Sequence, residues 1–306
     1  MKLNSAFISW RLKLILLLGC LGGLGVALFS IYVESISDLP LGPTPLSWTF
    51  KSSSAHVVEM FSKGGSDMKP SILKDPEVPS IDKIYLGELE TVLFALGWFW
   101  GVDSRFGSIP GIIRTTVGYS GGTTVSPTYR AIGDHSEVIR IEFDPTVVSY
   151  KQLLDVFWSS HDPGYNAYTL QYRNAIFPLT EKQRHEAETS LNEKKAVARN
   201  AFFTTAEPAG KFYAAEDYHQ KYLLRKAEGI MQELQAIYPD PQLLIASTAA
   251  TKINGYLGCN GELDVLEKEL PQLGLSRQMQ ELLVKYVSTN CDKFSGLTCP
   301  SPKDSQ

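Results

Sequence analysis

Four cysteines, five histidines and one carboxylate beside an apolar strand are the residues of this 306-residue chain that could do chemistry. Cys20 lies in a long apolar run, where a thiol is inert. Cys259 lies in the glycine-rich stretch 254–261, and Cys291 and Cys299 follow in the C-terminal tail. In an oxidising compartment tail cysteines close disulfides. Cys291–Cys299 is the expected structural pair, leaving Cys259 unpaired; the alternative is that the tail thiols relay oxidation. The histidines have neither a C-x-x-C partner nor H-E-x-x-H spacing, so no metal site is expected. Gly118-x-x-Gly121-Gly122 reads as a turn, because no Lys-Ser/Thr follows to hold a phosphate. By pattern alone Glu137 belongs to a solvated strand face, and Phe99 and Trp100 to a core.

These residues must be positioned by strands and helices in mixed order. Thr91 to Leu96 is apolar enough for a buried strand, and a helix through Val102 to Phe106 follows Gly97-Trp98-Phe99-Trp100-Gly101. Ile112 to Val117 is a second strand, stopping at Gly118. From Val138 to Phe143, Ile139, Ile141 and Phe143 alternate with Arg140 and Glu142, the period of a strand. Ser149 with Gln152 forms a capping box that opens a helix to about Ser160. Thr180 with Gln183 repeats the signature before a charged helix to about Arg199. A further helix is predicted over Glu216 to Ile237, and an amphipathic one over Ser276 to Val287. Without a regular βαβ rhythm the fold class is α+β.

The N-terminus points to a membrane. Leu14 to Val33 is 20 residues without a charge, enough to cross a hydrocarbon core of about 30 Å. Lys2, Arg11 and Lys13 precede it, which places the N-terminus on the cytoplasmic side. The alternative is a cleaved signal peptide, with Gly25-x-Ala27 as the cleavage site. Either way the remaining chain is lumenal or extracellular. The expected organisation is residues 1–34 as signal anchor, 35–80 as a Pro- and Ser-rich tether with a short helix near His56 to Phe61, 81–240 as the folded domain, and 241–306 as an extension. A net charge of −4 without clustered Lys and Arg argues against nucleic acid as a partner.

Six segments, read in order, carry a resemblance. They are Gly97-Trp98-Phe99-Trp100-Gly101, Val117-Gly118-Tyr119-Ser120-Gly121-Gly122, Pro127-Thr128-Tyr129, His135-Ser136-Glu137-Val138, Gln171-Tyr172-Arg173 and Phe212 to Gln220. From about Lys83 to Leu223 the chain resembles the A-type peptide methionine sulfoxide reductases (MsrA). The resemblance implies a two-layer, mixed-sheet domain with a ferredoxin-like core, and repair of methionine-S-sulfoxide in oxidised proteins. A thiolate at a helix start attacks the sulfoxide sulfur, methionine leaves, and a sulfenic acid remains. On that pattern Glu137 is the acid, Tyr119 and Tyr172 hold the sulfoxide oxygen, and Phe99 and Trp100 form the methyl pocket. Glu216, Asp217, Tyr218 and His219 match a block with a mainly architectural role. Cys259, on a flexible segment, matches a resolving thiol. No bound cofactor is implied, and thioredoxin or another dithiol is the reductant.

The sequence departs from that pattern at the nucleophile. Position 98 is Trp, and an indole carbon cannot attack as a thiolate does. Two readings stand. Trp98 is the native residue and the domain binds without turning over, or the native residue is cysteine or selenocysteine, which some members encode with a UGA codon. Smaller departures are Ala167 at the place of an Asp before Gln171-Tyr172-Arg173, and shortened loops before His135 and after His161-Asp162-Pro163.

Overall fold

The computed structural model describes residues 57, 60, 61, 77–83, 85 and 87–291. The apolar N-terminal run, most of the tether and Cys299 lie outside the described residues; of the short helix expected near His56 to Phe61, Val57, Met60 and Phe61 are described and are helical. Among the described residues no helix is long and apolar enough to cross a membrane.

Six strands form one mixed sheet: β1 (Glu90–Leu96), β2 (Ile112–Ser120), β3 (Ser136–Phe143), β4 (Asn174–Phe177), β5 (Thr205–Ala206) and β6 (Tyr213–Ala214), in the order β5-β4-β1-β3-β2-β6. The four central strands pair antiparallel, and β5 adds a parallel edge to β4. Helix α1 (Phe99–Gly107) links β1 to β2, and α2 (Tyr150–Ser159) lies between β3 and β4. That order is the arrangement of two split β-α-β units. The central position of β1 explains its continuous apolar run: Val92 to Ala95 are all buried, as expected for a strand covered on both faces.

Alternation on β3 sorts the site from the surface. Ile139, Ile141 and Phe143 pack with Phe94, Phe106, Leu153 and Phe157 in the core under α1 and α2. Two residues before Ile139, Glu137 falls on the same face; it is 2% exposed. The solvated-face expectation is therefore wrong, because the period-2 face continues past the apolar run. Strand β2 also runs on through Gly118 to Ser120, because β6 pairs with it there, at Gly118↔Ala214 and Tyr119↔Tyr213.

The capping box at Ser149 and Gln152 is present and opens α2. Thr180 caps α3 (Glu181–Val197) through the Gln183 N–H, but the Gln183 side chain turns instead to the Leu179 N–H, at 2.9 Å. The single helix predicted over Glu216 to Ile237 is broken into a 3₁₀ turn (Asp217–His219), α4 (Tyr222–Lys226) and α5 (Glu228–Ile237). The break is at Lys221, whose φ of 51° is left-handed. Its ammonium is fully buried against Asp103 Oδ1 at 3.2 Å and the Thr115 carbonyl at 2.6 Å, and its N–H donates to Asp103 Oδ2 at 3.0 Å. This tertiary anchor overrides the helical pattern.

Beyond α6 (Pro241–Ala246), the extension folds as α7 (Thr248–Leu257), α8 (Leu263–Glu269) and α9 (Arg277–Asn290) around a core that includes Leu234, Ile253, Tyr256, Leu283 and Tyr286. Asp82 ties the start of the domain to it, accepting from the N–H groups of Thr248 and Ala249 at the first turn of α7 and from the hydroxyls of Ser247 and Tyr238.

Candidate active site

The site lies where β1 ends and α1 begins. Gly97 has φ 69°, a conformation that only glycine adopts cheaply, and it turns the chain into the helix. Trp98 is the N-cap residue of α1 and supplies no side-chain cap. The cap comes from elsewhere: the Phe99 N–H donates to Glu137 Oε2 at 3.1 Å. A helix start leaves N–H groups without intrahelical partners, and here a strand carboxylate takes the first. Position 98 thus has the positive end of a helix behind it, the setting that favours a thiolate.

Trp98 itself is 53% exposed, with its ring 6.1 Å from that of Tyr172. Its neighbours point inward. Phe99 is 2% exposed and packs on Tyr119 and His219. Trp100 stacks on Tyr222 with ring centroids 4.0 Å apart, and its indole N–H donates to His219 Nδ1 at 3.0 Å. His219 is buried, so it is held neutral, with its pKa below the usual value; the neighbouring Glu216 opposes that shift.

Glu137 is the chemically distinctive group. Burial pushes its pKa up to about 7, against the opposing pull of two hydrogen bonds, from Gln171 Nε2 at 2.8 Å and from the Phe99 N–H. A carboxyl titrating near neutrality is suited to proton donation. Tyr119 lies directly across on β2, in register with Glu137 and fully buried. Its hydroxyl donates to Glu216 Oε2 at 2.7 Å, while Glu216 Oε1 accepts the Tyr129 N–H at 3.0 Å. Tyr172 shares a hydrogen bond with the Tyr129 phenol. Burial first, and then these acidic or phenolic neighbours, hold the Tyr119 and Tyr172 hydroxyls well above the ordinary phenol pKa. The fold thus brings together Trp98, Phe99, Trp100, Tyr119, Glu137 and Tyr172.

The roles of Gln171 and Tyr129 were missed from the sequence, whereas Glu216 and His219 hold their neighbours in place, in keeping with the architectural role expected of them. Only motif membership marked Gln171 and Tyr129. His135 and His161 serve the scaffold: His135 accepts the Gly122 N–H at 3.1 Å. His161 bridges the Phe157 carbonyl and the Thr204 hydroxyl. Among the described residues no group of three His, Cys, Asp or Glu is placed to hold a metal ion.

Two expectations about the cysteines are corrected. The stretch from Asn254 is not a flexible arm: Asn254 to Leu257 is the buried last turn of α7. Cys259 is bonded to Cys291, not left free, so Cys291 is not paired with Cys299. The reason is the register of α9, whose Tyr286 hydroxyl donates to the Leu257 carbonyl at 3.0 Å and brings the helix end beside Cys259. While that bond is closed Cys259 cannot act as a resolving thiol.

Comparison with known proteins identifies the family. The sequence profile described as peptide methionine sulfoxide reductase matches residues 90–243. A Drosophila melanogaster peptide methionine sulfoxide reductase is 39% identical over 211 residues, covering 68% of this chain and 84% of the relative. The Serratia proteamaculans peptide methionine sulfoxide reductase MsrA is 45% identical over 155 residues, covering 46% of this chain and 73% of the relative. Among solved structures, methionine sulfoxide reductase A of Corynebacterium diphtheriae is 29% identical, with a TM-score of 0.41, covering 52% of this chain and 85% of that chain. The profile match over half of the chain, and 39% identity across 84% of the Drosophila relative, show that the chain belongs to the peptide methionine sulfoxide reductase family.

Proposed function

We propose that the chain reduces methionine-S-sulfoxide in oxidised proteins, in a form carrying cysteine or selenocysteine at position 98. The observation that carries this reading is the buried Glu137 carboxyl, titrating near neutrality, hydrogen-bonded to the N–H that follows position 98. In the proposed reaction a thiolate or selenolate at the helix start attacks the sulfoxide sulfur. Glu137 gives its proton to the sulfoxide oxygen. As methionine leaves as the thioether, the substrate S–O bond and the bond made in the attack both break, and the protonated oxygen passes to the nucleophile as a sulfenic or selenenic acid. Phe99 and Trp100 wall the methyl group, and Tyr119 and Tyr172 hold the oxygen. A dithiol then returns the enzyme to its reduced form, releasing water and becoming a disulfide. With Cys259 engaged by Cys291, thioredoxin or another external dithiol fills this role.

The apolar run 14–33 supports placing the domain on the lumenal or extracellular side of a membrane, behind a tether ending near residue 80.

Tandem mass spectrometry of the peptide spanning residue 98 in natively produced protein tests the nucleophile. Cysteine or selenocysteine there supports the reading, and tryptophan leaves a pocket that binds without turnover. Trp98→Cys protein should reduce the S epimer of a methionine sulfoxide substrate with dithiothreitol and leave the R epimer untouched. No turnover of either epimer would sink the proposal.

A further inference from the structure

Glu137 receives two hydrogen bonds, and they differ in kind. The one from the Phe99 N–H is backbone and cannot be tuned by mutation. The one from Gln171 Nε2, at 2.8 Å to Oε1, comes from a side chain on the 3₁₀ turn Leu170–Tyr172. Tyr172, a residue of the proposed substrate pocket, follows directly, so this turn carries both the acid's partner and a wall of the pocket.

We propose that Gln171 is the positioning residue of Glu137, its amide N–H fixing the carboxyl between helix α1 and the Tyr172 turn and setting the fraction protonated at neutral pH.

The electrostatic surroundings leave this role to a neutral donor. From β2, the titratable group facing Glu137 is Tyr119, whose hydroxyl is turned to Glu216. From the 3₁₀ turn it is Tyr172. Helix α1 presents the Phe99 N–H, and no cation pairs with Glu137 among the described residues. The shift at Glu137 has burial as its largest cause, with the Gln171 and Phe99 bonds pulling against it. A donor to a carboxylate stabilises the charged form. Without Gln171, burial would act against the single backbone bond, and the acid would stay protonated to higher pH. A lysine or arginine in its place would do the reverse and empty the acid of its proton. A carboxamide therefore holds the group in the range where it can both give and recover a proton.

The inference rests on reading Glu137 as the acid, and the test separates the two. The full chain is labelled with [δ-¹³C]glutamate, the Glu137 resonance is assigned by its loss in Glu137→Gln, and its titration is followed by NMR. Gln171→Met, similar in length but with no donor, should raise the Glu137 midpoint by about one pH unit, tenfold in proton affinity. Gln171→Arg, which keeps a donor and adds charge, should lower it. Shifts in opposite directions are not expected of a residue that only packs. An unmoved midpoint in Gln171→Met, or the same direction in both variants, overturns the proposal. The alkaline limb of turnover, measured separately in a Trp98→Cys background, should follow the NMR midpoints. A midpoint that moves while the limb stays fixed would leave Gln171 holding the carboxyl and remove Glu137 as the acid.

Discussion

Tyr119 gives its hydroxyl hydrogen to Glu216, at 2.7 Å, and Glu216 takes the Tyr129 N–H with its other oxygen. The phenol assigned to the sulfoxide oxygen is thus already engaged before a substrate arrives. To donate to that oxygen it must leave Glu216, so part of the binding free energy is spent on the exchange. In a Trp98→Cys background, Tyr119→Phe should raise KM by about 2- to 13-fold, the range of one hydrogen bond. Glu216→Gln, a weaker acceptor for the phenol, should move KM by less. Steady-state kinetics on both variants checks the order.

The Glu137 carboxyl, pushed up to about 7, sets a second expectation. As an acid it acts only while protonated, so kcat/KM in the Trp98→Cys background should fall above about pH 7, tenfold per unit at the limit. Glu137→Gln should lose that limb and about 10²- to 10⁴-fold in rate. The sign for stability follows the same shift. A folded-state value above the unfolded one means the native protein binds more protons, so this group's contribution is greatest below the ordinary glutamate pKa. It falls as pH rises towards 7. Relative to the parent, Glu137→Gln should therefore gain Tm on going from pH 5 to pH 8.

Gly107 and Gly255 set how closely α1 and α7 approach. A Cβ on Gly255 would stand 2.8 Å from the Ser108 Cβ and 2.9 Å from the Gly107 carbonyl carbon, and one on Gly107 would strike the Thr251 carbonyl. Gly255→Ala should cost about 1–3 kcal/mol, as overpacking does. It would also tilt α1, so turnover of the Trp98→Cys protein should fall with stability. Denaturant unfolding alongside kinetics measures both.

The Cys259–Cys291 bond closes a loop with a sequence separation of 32. Chain-entropy reasoning gives it about 3–4 kcal/mol. Cys291→Ser should be less stable than the oxidised parent by that amount in denaturant unfolding, and reductant should bring the parent down to the variant while leaving the variant where it was. Equal midpoints for the two oxidised proteins would show that the bridge does not form.

What could be read from the sequence was local. The Ser149 capping box and the β3 alternation depend on residues within a few positions of each other, and both are present. The site's types were legible through the motif order, and the fold gathers Trp98, Phe99, Trp100, Tyr119, Glu137 and Tyr172. What escaped was non-local. Lys221 breaks its helix for Asp103, which lies 118 positions away. The Gln171 amide reaches Glu137 across 34 positions. Glycine in Asn254-Gly255-Tyr256 suggests freedom when read as sequence. In the structure it marks contact, because the reason for its small size lies on another helix.

Half of the Trp98 surface faces solvent, and no buried cluster among the described residues includes it. The position proposed for the nucleophile is therefore one on which folding scarcely depends. Exchange at this position should be nearly invisible to selection for stability and fully visible to selection for chemistry. On the proposed reading, a single codon here would separate a reacting chain from a silent one, with the surrounding architecture unchanged.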